Sequence, residues 1–125
     1  MYVLDTNILV YHAAGEDTVA AFFSEHRNDI FYVPSIVVAE FLSYPLITES
    51  ATRAFKSFIS QTIIVNLDFA LAELAAEVRR KNRVKLMDAV VAATALTTSA
   101  MLVTKNTRDF KRIAGLQLFN FISVD

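Results

Sequence analysis

The chain of 125 residues has no cysteine, only two glycines and only two prolines. Without cysteine there is no disulfide, no thiolate nucleophile and no Cys-ligated zinc, a composition that fits a cytoplasmic location. Gly15 and Gly115 are too few and too far apart to build a Walker loop or a dinucleotide-binding fingerprint. The two histidines, His12 and His26, are not spaced as a metal pair, and no Ser-His-Asp pattern is legible. No apolar run reaches the roughly 18 residues needed to span a bilayer, so no membrane association is expected. The start, Met1-Tyr2-Val3-Leu4-Asp5, lacks the basic n-region and cleavage site of a signal peptide. What is abundant is apolar: 54% of the residues, ten of them Phe. That supports one domain, residues 1–125, around a single core.

Short apolar runs alternate with helical patterns. Strands are expected at Tyr2–Leu4, Ile30–Val33, Ile63–Val65, Met101–Val103 and Leu118–Phe121. Helices are expected from Asn7 to about Tyr11, Thr18–Arg27, Ser35 to about Tyr44, Thr48 to about Ser60, Asp68 to about Lys81, Leu86–Thr98 and Asn106–Ala114. Pro34 and Pro45 stop a strand and a helix, while Ser35, Thr48 and Asp68 stand where caps belong. Leu86–Thr98 is apolar nearly all round and should be buried. Continuous apolar strands separated by helices describe an α/β fold: a central parallel sheet of about five strands, covered on both faces. Ligands of such sheets bind outside the carboxyl ends of the strands.

Net charge is −1, but the basic residues are gathered late. One cluster is Arg79, Arg80, Lys81, Arg83 and Lys85, and another is Lys105, Arg108, Lys111 and Arg112. This asymmetry suits either a polyanionic partner or solvated helix ends, where cations are favoured. Four acids sit at the ends or interruptions of apolar runs: Asp5, Glu40, Asp88 and Asp109. A carboxylate in apolar surroundings is unfavourable without a compensating cation or donor. Several together need positive charge between them, and a divalent metal is the simplest source. Each acid also has a plainer reading. Asp5-Thr6-Asn7 can be a turn and a helix cap. Asp88 in a first helical turn complements the helix dipole. Asn106-Thr-Arg-Asp109 has the form of a capping box, with Asp109 reaching back to the Asn106 backbone. Glu40 has the weakest plain reading, since Ile36, Val37, Val38, Ala39, Phe41 and Leu42 leave it little solvated face. Thr104 is either an ordinary strand-end residue or a hydroxyl that orients a carboxylate.

Taken in order, Asp5-Thr6-Asn7, Ser35-Ile-Val-Val-Ala-Glu40, Asp88-Ala-Val-Val-Ala-Ala-Thr-Ala and Thr104-Lys-Asn106-Thr-Arg-Asp109-Phe resemble the PIN domain. Within it they look most like the VapC-type toxin ribonucleases, and the resemblance covers essentially the whole chain. It implies a three-layer α/β/α fold and endoribonuclease cleavage with Mg²⁺ or Mn²⁺ as cofactor. It also implies an RNA substrate and a small antitoxin partner. By position, Asp5, Glu40 and Asp88 match the three core acids, and the fourth acidic role falls to Asp109 because Asn106 carries no charge. On this reading Asp5 and Asp88 touch the metal, and Glu40 binds metal or orients the attacking water. Thr6, Asn7, Thr104 and Asn106 orient the acids. Arg83, Lys85 and Lys105 are candidates to hold flanking RNA phosphates. The Phe and Ala content leaves room for a homodimer interface.

Three other readings compete. Asp5 after the first strand resembles the nucleophile of an aspartyl-phosphate phosphatase, but that chemistry wants a second Asp where Asn7 stands. A non-catalytic PIN-like module that binds RNA or protein has no use for buried acids. A PIN nuclease without an antitoxin is the third.

Overall fold

In a computed structural model the described residues are 1–121. The chain runs β1 (Tyr2–Leu4), α1 (Thr6–Ala13), α2 (Asp17–Glu25), β2 (Phe31–Pro34), α3 (Ser35–Leu42) and α4 (Glu49–Ile59). It continues with β3 (Ile63–Val65), α5 (Phe69–Asn82), α6 (Leu86–Thr98), β4 (Met101–Val103) and a single 3₁₀ turn at Thr107–Asp109. Every strand pairing is parallel, and the sheet order is β3-β2-β1-β4. The chain steps from β1 outward to β3, then crosses back to place β4 on the other side of β1. The topological switch therefore lies between β1 and β4, where α/β sheets open a crevice at the carboxyl ends of their strands.

Burial follows the apolar pattern. Val3 and Leu4 of β1, Val33 of β2, and Leu102 and Val103 of β4 are fully buried. In α6 every residue from Ala89 to Ala95 is buried, as an all-round apolar helix requires. This helix packs against α5 and against β1, β2 and β4. An aromatic cluster closes one end of the core, with Tyr2, Phe22, Phe31 and Phe119 in edge or stacked contacts. Thr48 and Asp68 cap their helices as their residue types predict, accepting from the Ala51 and Leu71 amides.

Three expectations fail. Among the described residues the sheet has four strands, not five: Leu118 forms only an isolated parallel bridge to Leu102. The chain leaves the sheet there because Phe119 and Phe121 turn onto Phe22. The helix expected over Asn106–Ala114 shrinks to the 3₁₀ turn, and its capping box does not form. The Asn106 amide donates to the Thr104 hydroxyl instead of to Asp109. Ser35 caps nothing. Pro34 holds the cap position of α3, and the Ser35 hydroxyl accepts from the Leu67 amide, tying the β3–α5 connection to the start of α3.

Candidate active site

Asp5 is the first residue beyond β1, and its amide donates to the Val103 carbonyl at the end of β4. That bond fixes it at the switch point. Its side chain serves both readings of the sequence at once. One carboxylate oxygen caps α1 by accepting from the Thr6 amide at 2.8 Å, and the other accepts from the Thr104 hydroxyl at 2.8 Å. Asp5 is 8% exposed and Thr104 fully buried, so this carboxylate is held in one orientation from behind.

Asn7 locks the same corner. Its side-chain amide donates to the Thr104 hydroxyl, and its carbonyl oxygen accepts from the Lys105 amide. The first turn of α1 is thereby stapled to the turn that follows β4. The Thr6 hydroxyl is buried and has no hydrogen-bond partner among the described residues.

In front of Asp5 lies an open cleft of about 500 Å³. Asp5, Glu40 from α3, Asp88 from α6 and Asn106 from the turn after β4 line it, with Thr6, Asn7, Val10 and Tyr11 of α1. Four separated parts of the sequence meet here. Asp109 is not part of the lining. It accepts from the Asn106 side-chain amide at 2.6 Å, and its charge is still felt by Asp88.

The electrostatics are those of uncompensated like charges. Burial pushes the Asp5 carboxyl above its usual range; the hydrogen bonds from Thr104 and Thr6 pull it down, and the Glu40 charge pushes it up. Burial likewise raises Asp88, reinforced by Asp5, Asp109 and Glu40 and opposed by Lys85. Among the described residues none of these acids forms a salt bridge.

Glu40 departs from expectation. Its apolar neighbours in sequence suggest burial, but the residue is exposed, on the open side of α3 facing the cleft. A helix only eight residues long with one fully buried position leaves more solvated face than its composition implies. Among the candidate cations, Arg83 and Lys85 are exposed at the junction of α5 and α6. Lys105 is already engaged: its ammonium donates to the Thr18 hydroxyl at 2.7 Å, stands 4.0 Å from Glu16 and lies over the Phe121 ring. Sequence reasoning passed over Tyr11. The available signal was its spacing, one helical turn beyond Asn7 on the same face of α1.

The donor set is all oxygen, which suits a hard divalent cation. Among the described residues no three acidic or histidine side chains close on a common point. Mg²⁺ does not require that, since it keeps several waters and is commonly held by one or two carboxylates.

Comparison with known proteins gives a family and a fold. The PIN domain profile matches residues 2–116. Ribonuclease VapC2 of Rickettsia felis is 31% identical, over 97% of this chain and 98% of its own length. Ribonuclease VapC19 of Mycobacterium tuberculosis is 27% identical, over 94% and 98%. The crystal structure of VapBC2 from Rickettsia felis bound to a DNA fragment from their promoter superposes with a TM-score of 0.83. It is 27% identical, over 97% of this chain and 98% of that one.

Proposed function

This chain belongs to the PIN-domain family, and we propose that it is a metal-dependent endoribonuclease, the toxin of a toxin–antitoxin pair. One observation carries the chemistry: Asp5, Glu40 and Asp88 line a single cleft at the β1/β4 switch point, and among the described residues none of them forms a salt bridge. Such a site stays strained until positive charge enters it.

When bound, Mg²⁺ or Mn²⁺ lowers the pKa of a water and neutralises phosphate oxygens. The residues of the chain do the rest. Asp5 and Asp88, both in the lining of the cleft, would be the residues that hold the cation. Thr104 and the Thr6 amide keep the Asp5 carboxylate from rotating, so it needs little reorganisation when the cation arrives. Asn7 keeps Thr104 in place, and Asn106 presents its amide beside Asp109. Glu40, exposed at the rim, would serve as proton acceptor for the attacking water or as a further ligand. Arg83 and Lys85 hold RNA phosphates on the Asp88 side. Lys105 takes part only if a phosphate draws its ammonium away from Thr18.

The toxin assignment is supported by the VapC ribonucleases to which the chain is similar along nearly its whole length. The VapBC2 assembly on promoter DNA supports a small DNA-binding antitoxin as the partner. A second copy of this chain is the other partner we propose. Purified protein incubated with labelled structured RNAs and Mn²⁺ should cut them at discrete positions. RNA that stays intact with folded protein present overturns the nuclease reading.

A further inference from the structure

Tyr11 is the one aromatic side chain in the lining of the carboxylate cleft. The rest of that lining is polar or charged, apart from its neighbour Val10. The ring is 42% exposed, and among the described residues it stacks on no other ring and its hydroxyl has no hydrogen-bond partner. It is not loose, however. Lys105 lies over it with the ammonium 6.0 Å from the ring centroid. That ammonium is itself anchored by Thr18 and by the Phe121 ring at 4.2 Å. The helix beneath it is stapled to the turn after β4 through Asn7. A partly exposed aromatic ring, with the Lys105 ammonium over it and a helix tied to the turn after β4 beneath it, offers a flat apolar surface in an otherwise polar cleft against which another ring can stack.

We propose that Tyr11 is the base platform of this nuclease, stacking the nucleobase next to the scissile phosphate and thereby selecting RNA that is unpaired there. The proposal rests on the ribonuclease reading and extends it to a specificity-determining residue. A nucleotide whose phosphate sits at the carboxylates carries its base one sugar away. Among the described residues of the lining, Tyr11 and Val10 are the apolar surface offered to that base. Stacking is sequence-tolerant, because every base has a π-face, but it requires a base not already paired and stacked in a duplex.

The test combines Tyr11 variants with abasic RNA. Single-turnover cleavage of an unstructured RNA in Mn²⁺ is compared with RNAs made abasic at the nucleotides flanking the cut. Tyr11→Ala should slow cleavage about 5- to 140-fold, the range that one base–aromatic stack implies. Tyr11→Phe should keep the wild-type rate. Abasic RNA at one flanking position should slow the wild type comparably and slow Tyr11→Ala little further. Multiplying losses, or a wild-type rate in Tyr11→Ala, overturn the platform. A purely structural role would not couple to the missing base, and melting curves of both variants check the fold. In Ca²⁺, 2-aminopurine at that position should be quenched by wild type and Tyr11→Phe but not by Tyr11→Ala. Equal quenching by all three, or none by wild type, overturns the proposal. Should wild type leave all RNA intact in Mn²⁺, the nuclease reading fails instead, and the quenching alone decides Tyr11.

Discussion

Asp88 sits in the first turn of α6, where the helix dipole favours an acid, yet its charge neighbours are mostly other acids. The two effects predict opposite outcomes for Asp88→Asn without metal. If only the dipole mattered, the variant would lose stability. With the carboxyl raised above its ordinary value, folding penalises the ionised form. That penalty is present above the raised pKa, shrinks as pH falls through it, and is gone below the ordinary value of 3.8. Asp88→Asn in EDTA should therefore melt at or above the wild-type temperature at neutral pH, with the advantage fading on acidification. Added Mn²⁺ should reverse the order. At a hundredfold excess over its dissociation constant the wild type gains about 2.7 kcal/mol, roughly 8–15 °C for a domain of this size, and the variant much less. A lower melting point in EDTA, with both proteins indifferent to Mn²⁺, would make Asp88 a helix-end residue. At this scale the acids that line the cleft, Asp5, Glu40 and Asp88, were legible as candidates, because each ends or interrupts an apolar run. Exposure of Glu40 was not, since composition does not say how short its helix is. Tyr11 was not either, since an aromatic at helical spacing reads as core.

At the scale of elements, the junction between α5 and α6 stands out. Arg83 ends α5 with φ +55°, and Ser99 ends α6 with φ +55°, both in the left-handed region that favours glycine. Removing the roughly 1–2 kcal/mol left-handed cost, less glycine's own entropy cost of about 0.5–1 kcal/mol, should stabilise each by about 0.5–1 kcal/mol, roughly 2–5 °C. The two positions should part company in function. Arg83→Gly should melt higher yet bind RNA more weakly, with a shallower dependence on salt, the trade expected where a strained residue serves a ligand. Ser99→Gly should melt higher with RNA binding unchanged. Equal RNA affinity and salt slope in both variants would assign Arg83 to structure alone. The helices α4 and α5 were legible to within a residue or two because Thr48 and Asp68 make the capping bonds their types predict. The elements around β4 were not. There the Asn106 amide goes to Thr104 rather than into a helix, and the phenylalanines of the last segment go to the aromatic cluster rather than into a ladder. The first is a bond between residues two apart, with Thr104 itself held by Asp5 and Asn7 from the far end of the chain; the second is a long-range choice that no local pattern reveals.

At the scale of the whole molecule, the order β3-β2-β1-β4 converts a scattered set of residues into a site. Parallel strands joined by helices were expected from alternating apolar runs. The placement of β4 beside β1, which brings Thr104 to Asp5 across most of the chain, is set by tertiary packing. No helix among the described residues is long and apolar enough to cross a membrane. Induced production of the protein should arrest bacterial growth, and co-production of a small DNA-binding partner encoded beside it should restore growth. Unimpaired growth at verified levels of active enzyme would count against the toxin assignment. The most direct measurement of the central claim is metal-rescued RNA cleavage by wild type and Asp5→Asn, followed in excess EDTA and then after Mn²⁺ is added back beyond the chelator. The account predicts no cleavage by wild type in EDTA, recovery with Mn²⁺, and loss of at least most cleavage by Asp5→Asn under both conditions. Full cleavage in EDTA, or an Asp5→Asn variant as active as wild type, would contradict it.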